Sequence, residues 1–224
     1  MSVVEQRKWM RRLGWIAFSA FVVEGLLGIP MPPRPLPVRL SHTLLAYLLF
    51  STTVLISVFT SRVWNRGPEI VEERTGKLSL QSLSIVSCAT VAVQVVLGAV
   101  FRYGVTNVIP HILGAMVVAV LSGVTGFRVK QQFPEHRSLR IAATATIGIT
   151  LSQAVLGMAV LAVQVINPED PLPVILLISA HVGTGALTLA ANVVLAIQIH
   201  RNVRKARANA EESDAASTRS QSLT

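Results

Sequence analysis

The sequence has little cysteine and little charge. Cys88 is its one cysteine, so no disulfide can form within the chain and no cysteine cluster can hold zinc or an iron–sulfur centre. Charged residues make up 14% of the 224 residues, against roughly 25% in a soluble domain. Because 51% of the residues are hydrophobic, a water-soluble globular fold is effectively excluded.

The charged residues are absent from five long intervals, each of which is an apolar run, and a sixth apolar run contains Glu24 as its one charged residue. A helix that crosses the roughly 30 Å hydrocarbon core of a bilayer needs about 20 apolar residues. The sequence therefore predicts an all-α polytopic membrane protein, with six transmembrane helices in a domain spanning residues 1–206. The six runs are at about 13–30, 40–60, 80–101, 108–127, 141–165 and 172–199.

Most basic residues lie on one side of this predicted topology. The formal net charge is +9, but 17 of the 20 Lys and Arg residues fall in the termini and in the connections after the second and fourth runs. Only Arg34, Arg39 and Arg102 fall on the other side. The positive-inside rule then predicts cytoplasmic N and C termini in the cell inner membrane, so the charge does not predict nucleic-acid binding. The tail at 207–224 lacks apolar periodicity and is predicted to be disordered.

A threefold internal repeat runs through the chain. The first, third and fifth runs each contain Glu or Gln, followed four residues later by the Gly of a Leu-Gly pair. These segments are Glu24-Gly25-Leu26-Leu27-Gly28, Gln94-Val95-Val96-Leu97-Gly98 and Gln153-Ala154-Val155-Leu156-Gly157. Each is followed by a short outer loop and by a histidine near the start of the next run: His42, His111 and His181. The repeat unit is therefore predicted to be a helical hairpin.

The three histidines are predicted to lie at one depth in the outer half of the membrane. Residues four apart share a helix face, so Ala46, Ala115 and Gly185 leave space beside each imidazole for a flat ligand or for close helix packing. A single membrane histidine can simply hydrogen-bond to a carbonyl group. Ionisable residues are costly in a bilayer, however, and three in equivalent positions indicate ligand binding by at least two of them.

Haem suits this pattern better than zinc. Zinc favours three or four converging N, S or O ligands, and carboxylate and thiolate partners are scarce in the runs. Two imidazoles from facing helices in an apolar slot are sufficient for a b-type haem. Arg39 and Arg102 are candidates to pair with the haem propionates. The alternative for both is that they anchor helix ends in the headgroup region.

Three further ionisable residues need an interpretation. Glu24 replaces the Gln of the other two units, about 9 Å below the outer end of its helix. Near His42 or Arg39 it is a candidate proton acceptor or catalytic carboxylate, and a structural hydrogen bond or ion pair is the alternative. His136 and His200 are predicted to be solvated, helix-end or headgroup residues, so no second haem is expected near the inner face.

The segments from Gln94 to Arg102, from Pro110-His111 to Ala115, and from Gln153 to Gly157 with His181 resemble one half of a haem A synthase. Members of this cytochrome oxidase assembly family convert haem O to haem A. They typically have eight helices in two similar halves, with histidines on the second and fourth helix of each half. The resemblance covers the third to sixth runs and, more weakly, the first two. It implies that His111 and His181 are paired axial ligands, while His42 belongs to an additional hairpin or pairs with His111.

The resemblance also implies an activity. The chain would be an oxidoreductase that oxidises the methyl group of haem O to give haem A for a terminal oxidase, with haem b as the resident cofactor and a membrane electron donor. Its partners would include the lipid bilayer, a porphyrin, and a second copy or an oxidase assembly protein. Two features differ from the family: Arg39, not Glu, precedes His42 by three residues, and the outer-loop cysteine pair is absent. A bis-histidine electron-transfer cytochrome, and a haem-handling subunit without turnover, therefore stay open.

Overall fold

The protein is almost entirely helical. The computed structural model describes residues 7–29, 35–73, 78–166 and 171–205. Arg34 and the predicted disordered tail at 207–224 lie outside the described residues. The elements in chain order are α1 (Lys8–Gly28), α2 (Leu36–Thr60), α3 (Arg62–Asn65), β1 (Val71–Glu73), α4 (Leu80–Arg102), α5 (Ile109–Gln132), α6 (Arg137–Ile166), α7 (Pro171–Asn202) and β2 (Val203–Lys205).

Several helices extend beyond the apolar runs that predict them. α5 continues to Gln132, α6 begins at Arg137 and α7 ends at Asn202, because polar residues prolong the helical turns outside the apolar stretch. The start of α4 is fixed by a cap, since the Oγ atom of Ser79 accepts a hydrogen bond from the backbone N–H of Ser82 at 3.2 Å. This side-chain oxygen satisfies one of the free N–H groups of the first turn.

Five described helices are long and apolar enough to cross a membrane, namely α2, α4, α5, α6 and α7. The predicted class, an all-α multi-pass membrane protein, is therefore confirmed. α1 is not among the five, because its 21 residues include three basic residues in the first turns and Glu24 near the end. Its crossing of the membrane, and with it the six-span topology, stays a prediction.

Helices α4 to α7 form a closed four-helix bundle. α4 packs against α5 and α7, and α6 packs against the same two helices. α2 packs on the outside of this bundle against α7 and α4, and α1 packs chiefly against α2. The first helix pair therefore flanks the bundle and does not share its core.

The bundle core contains polar residues at equivalent positions of its two halves. Ser87 and Thr146 lie seven residues before the Gln of the repeat, and Ser122 and Asn192 lie eleven residues after the histidine; all four are buried. Oδ1 of Asn192 accepts hydrogen bonds from the hydroxyl groups of Ser87 at 2.8 Å and Ser122 at 3.0 Å. The Thr146 hydroxyl donates to the Ala191 carbonyl at 3.2 Å. Interhelical hydrogen bonds of this kind hold membrane helices together.

A small parallel sheet closes the end of the bundle at which α4 begins, which we call the sheet end. Val71 of β1 pairs with Val203 of β2. Glu73 is only 4% exposed, and its carboxylate accepts a hydrogen bond from the Leu80 backbone N–H at 2.9 Å and lies 3.2 Å from the Arg128 guanidinium. The sheet therefore joins the connection after α3 to the ends of α4, α5 and α7. The end at which α4 finishes and α5 begins is called the histidine end.

Candidate functional site

The histidine end of the bundle brings His111 and His181 together. His111 lies in the first turn of α5 and His181 lies in α7. The centroids of the two imidazole rings are 6.2 Å apart, and the ring planes make an angle of 83°. Since α5 and α7 are diagonal helices of the bundle, the rings meet across its axis. The structure thus places the two predicted axial ligands next to each other.

Each repeat histidine lies against the Glu or Gln of the preceding apolar helix. The Gln94 Nε2 atom is 2.9 Å from Nδ1 of His111, and that of Gln153 is 3.2 Å from Nε2 of His181. In the first unit, Oε1 of Glu24 is 2.9 Å from Nδ1 of His42. One contact between a polar side chain and an imidazole therefore recurs in all three repeat units.

These contacts leave one ring nitrogen of each paired histidine uncommitted. Gln94 contacts Nδ1 of His111 and also donates to the His111 carbonyl oxygen at 2.8 Å, and no described residue forms a hydrogen bond with Nε2. Gln153 engages Nε2 of His181, and Nδ1 of His181 is buried with no hydrogen-bond partner among the described residues. A ring nitrogen that ligates a metal needs its lone pair, so the nitrogen beside the glutamine must then carry the proton and donate it to an acceptor. The amide oxygens of Gln94 and Gln153 are buried without a described partner, and rotation of either amide would supply that acceptor. The pair therefore has the chemistry of two oriented metal ligands.

The glycines of the repeat make room for the imidazole rings. A methyl group at Gly98 would lie 2.9 Å from Cε1 of His111, and one at Gly157 would lie 3.0 Å from Cε1 of His181. At Gly28 the corresponding distance to Cε1 of His42 is 3.6 Å. The sequence predicts close packing or space for a ligand edge at these glycines, and the structure shows close packing against the histidine of the same unit.

Aromatic residues complete the site, and the repeat motif does not identify them. Phe101 stacks on His111, with ring centroids 6.2 Å apart and planes at 17°. The Tyr47 hydroxyl donates to the Val182 carbonyl oxygen at 3.1 Å, beside His181. Tyr103 shares a hydrogen bond of 2.7 Å with Thr43. One available signal is that the chain has only two tyrosines, and both connect α2 to the bundle near the repeat histidines.

The two predicted propionate partners both lie at the histidine end, but neither contacts the paired imidazoles. The Arg39 guanidinium lies 4.9 Å from the centre of the Tyr103 ring, and its Nε atom has no hydrogen-bond partner among the described residues. Arg102 is in the last turn of α4 and is exposed. Both guanidinium groups keep donors available for an anionic group.

Glu24 and His42 form a separate pair outside the bundle. Of the two partners predicted for Glu24, His42 is the one that it contacts. The Glu24 side chain is 15% exposed and the His42 side chain is 35% exposed. The second carboxylate oxygen of Glu24 is buried and accepts no hydrogen bond from the described residues. No ring contact joins His42 to His111 or His181 in this part of the chain. The candidate catalytic carboxylate therefore lies beside the repeat histidine that has no second histidine next to it among the described residues.

His136 is a helix-end residue, one of its three predicted roles, but it is buried and not solvated. It is 4% exposed and caps the start of α6, where Nδ1 accepts a hydrogen bond from the Leu139 backbone N–H at 3.3 Å. Its Nε2 atom is 3.1 Å from the Glu69 carbonyl oxygen, because the connection that leads to β1 packs over it. His200 is exposed at the end of α7, as predicted, with Nδ1 2.9 Å from the Ala196 carbonyl oxygen. Both imidazoles have structural partners at the sheet end.

No cluster of three or more His, Cys, Asp or Glu side chains suitable for a metal ion occurs among residues 7–29, 35–73, 78–166 and 171–205. This argues against a zinc site of three or four protein ligands there, whereas axial ligation of haem needs only two imidazoles.

Comparison of the chain with protein-family profiles, with curated proteins and with solved structures gave no match.

Proposed function

We propose that this chain is an integral membrane haem protein in which His111 and His181 are the axial ligands of one b-type haem. The observation that carries the proposal is the pair of imidazole rings with centroids 6.2 Å apart. With metal–nitrogen bonds of about 2.0 Å, two imidazoles on opposite sides of one metal ion have ring centres roughly 6 Å apart. The spacing of the pair therefore fits an iron atom between the rings.

The donor set of the site also fits. Each imidazole has one ring nitrogen beside a glutamine amide and the other uncommitted, and the second nitrogen of His181 is buried without a described partner. A metal bond would satisfy this buried nitrogen, whose desolvation is otherwise unfavourable. Gln94 and Gln153 would orient the rings, and Arg39 and Arg102 would approach the propionates. Bound haem supplies reversible one-electron chemistry.

The proposed membrane topology of the chain follows the distribution of its basic residues. Six crossings in three helical hairpins would place both termini in the cytoplasm and the histidine end in the outer half of the inner membrane. The basic residues Arg39 and Arg102 would then lie at the outer surface, where haem propionates can reach water.

For the reaction, the proposal follows the resemblance to haem A synthases: the methyl group of haem O would be oxidised to the formyl group of haem A. Dioxygen would be the oxidant and the source of the oxygen atom and would leave as water. A membrane donor would supply the further electrons, and the haem at His111 and His181 would be the resident redox cofactor. Glu24 is the candidate carboxylate for that step, because one of its oxygens is unpartnered and the other is 2.9 Å from His42. A second candidate function is electron transfer without porphyrin conversion. It is favoured by the position of Glu24 on α1, which packs chiefly against α2 and not against the bundle.

Absorption spectra of purified variants test the haem site. The reduced protein is expected to show the sharp α band of bis-histidine coordination. His111→Ala and His181→Ala should each abolish or broaden the band of the haem at His111 and His181, while His42→Ala keeps that band and His200→Ala serves as the control for histidine loss. A His181→Ala protein with the full low-spin spectrum, together with a His42→Ala protein that has lost it, would show that α1 to α5 bind the haem instead.

Pigment extraction separates the two candidate reactions. The full chain is expressed with and without a source of haem O, and the extracted haems are identified by chromatography and mass. Haem A that appears only with this chain, and that is lost in Glu24→Gln, supports the oxidase-assembly function. Bound haem b without haem A supports the electron-transfer cytochrome.

A further inference from the structure

The second helices of the three repeat units differ in burial at equivalent positions. The positions compared are 7, 11, 14 and 18 residues after the repeat histidine, which share its helix face. In α5 and α7 all of them are buried, whereas in α2 none is buried. They are Val118, Ser122, Thr125 and Val129 in α5; Thr188, Asn192, Leu195 and Ile199 in α7; and Leu49, Thr53, Ile56 and Thr60 in α2.

The first helices of the units show the same difference. The positions compared are 3, 7, 10, 11 and 14 residues before the Glu or Gln of the repeat. In α4 and α6 all five are buried, whereas in α1 only Met10 is buried. They are Val91, Ser87, Ser84, Leu83 and Leu80 in α4; Thr150, Thr146, Ala143, Ala142 and Leu139 in α6; and Phe21, Ala17, Gly14, Leu13 and Met10 in α1.

The reason for the difference is visible in the bundle. The α4–α5 and α6–α7 units cover each other with these faces, and this pairing brings His111 and His181 to 6.2 Å. The α1–α2 unit has the same repeat contact, with Glu24 2.9 Å from His42. Its equivalent face is only partly covered by the described parts of the chain, since four of its five residues are half-buried and Thr53 is exposed. We call this face the His42 face; it comprises Glu24, His42, Ala46, Leu49 and Thr53.

Lipid is an unfavourable cover for the His42 face. Ionisable side chains within membrane helices are costly and normally face protein or a water-filled cavity. Here a carboxylate and an imidazole lie at that depth, and the second oxygen of Glu24 is buried without a described partner. In the bundle, the matching face of each unit is covered by the other unit. The expected cover of the His42 face is therefore a further copy of the same repeat unit.

We infer that two copies of this chain pack through their His42 faces about a twofold axis along the membrane normal, and that the two His42 side chains bind one iron porphyrin between the chains. The iron porphyrin rests on the proposed function, since it repeats the ligation proposed for His111 and His181. A twofold axis along the normal keeps both histidines at one depth and makes the interface isologous. The partner's His42 supplies the second ligand that this chain lacks.

Glu24 gives the shared site a different character from the bundle site. Its carboxylate faces Nδ1 of His42, which leaves Nε2 for the iron. Although Nδ1 of His42 has no hydrogen bond of good geometry, a carboxylate at this distance favours positive charge on a ligand imidazole more than a neutral amide does. The shared haem should therefore have a lower reduction potential than the haem at His111 and His181, and Glu24→Gln should raise it.

The first test measures haem stoichiometry and mass on the full chain in lipid nanodiscs. A dimer with one haem in each bundle and one shared haem has about 1.5 haems per chain. His42→Ala should reduce this to about one per chain and remove the lower-potential component of a redox titration. His200→Ala is the matched control and should leave both values unchanged. A monomer with about one haem per chain overturns the inference and leaves the proposed function intact.

The second test detects the interface without relying on haem. In a Cys88→Ser background, Ala46→Cys should be crosslinked between the chains by a bifunctional thiol reagent, because Ala46 is one turn from His42 on the same face. A direct disulfide is not expected, since two imidazoles with an iron atom between them hold the helices farther apart than the roughly 7 Å limit on the Cα–Cα distance. Leu48→Cys, which is exposed on another face of α2, should not be crosslinked. Equal crosslinking of the two variants overturns the interface. An Ala46→Cys dimer in protein that cannot be loaded with haem overturns the shared porphyrin and the proposed function together.

Discussion

The four-helix bundle and the α1–α2 pair are built from the same repeat unit but have different environments. In the bundle, two units cover each other's polar faces and their histidines meet. In the flanking pair, a carboxylate takes the place of the amide in the equivalent contact with an imidazole, and among the described residues no second unit covers the face beyond it. One repeat unit therefore forms the contact between its polar side chain and its histidine by itself, whereas a site with two histidine ligands requires a second unit.

The largest expected effect comes from the amides that orient the paired imidazoles. Gln94→Leu and Gln153→Leu should each lower haem affinity by about 10- to 100-fold, because an oriented ligand loses its hydrogen-bond partner. Haem titration of the purified variants measures this. Glu24→Gln, which gives the first unit the residue of the other two, should leave the affinity of the bundle site unchanged. Full affinity in both Leu variants would show that the rings are held by packing alone.

The next effect comes from the glycines beside the histidines. Gly98→Ala and Gly157→Ala place a methyl group 2.9 and 3.0 Å from the imidazole, whereas Gly28→Ala places it at 3.6 Å. Overpacking of this kind costs about 1–3 kcal/mol, so the first two variants should lose thermal stability and haem occupancy. Gly28→Ala should stay close to the parent protein. A similar loss of stability in all three variants would mean that Gly28 is packed more tightly against His42 than the 3.6 Å distance indicates.

Much of this architecture is predictable from the sequence because it rests on two periodic signals. The absence of charge over about 20 residues identifies the helices, and the recurrence of Glu or Gln, Gly and His identifies the unit. The contacts of Gln94 with His111 and of Gln153 with His181 follow from this register. The sequence could not show which units pair, because the intervals between the histidines are nearly equal, at 69 and 70 residues.

Other features lack a local signal. The strands β1 and β2 have three residues each, too few for a recognisable alternation of polar and apolar residues. The burial of His136 depends on the connection that passes over it with the Glu69 carbonyl, and this contact joins residues far apart in the sequence. The roles of Phe101 and Tyr47 likewise come from packing between helices, since neither residue belongs to the repeated motif.

A smaller effect is expected in the polar layer of the bundle core. Asn192→Ala removes the acceptor of the Ser87 and Ser122 hydroxyl groups, and should destabilise the protein by about 1–2 kcal/mol. Thr53 is the equivalent residue of α2, and it is exposed with its hydroxyl bonded to the Leu49 carbonyl of its own helix. Thr53→Ala should therefore change the monomer's stability by less than about 0.5 kcal/mol. Unfolding in mixed micelles measures the stability of both variants. Equal losses of stability would contradict the difference between the buried bundle core and the exposed position in α2.

The smallest effect concerns the contact that docks the flanking pair on the bundle. Tyr103 shares a hydrogen bond of 2.7 Å with Thr43 and lies under the Arg39 guanidinium at 4.9 Å. Tyr103→Phe removes the hydrogen bond and keeps an aromatic face for Arg39, so the loss should be below about 1 kcal/mol. Because Tyr103 touches α2 and not the paired imidazoles, the bis-histidine spectrum should not change, while protease cleavage between α2 and α4 should become faster. A spectrum altered by Tyr103→Phe would mean that the flanking pair helps to position His111, and that the two regions are coupled.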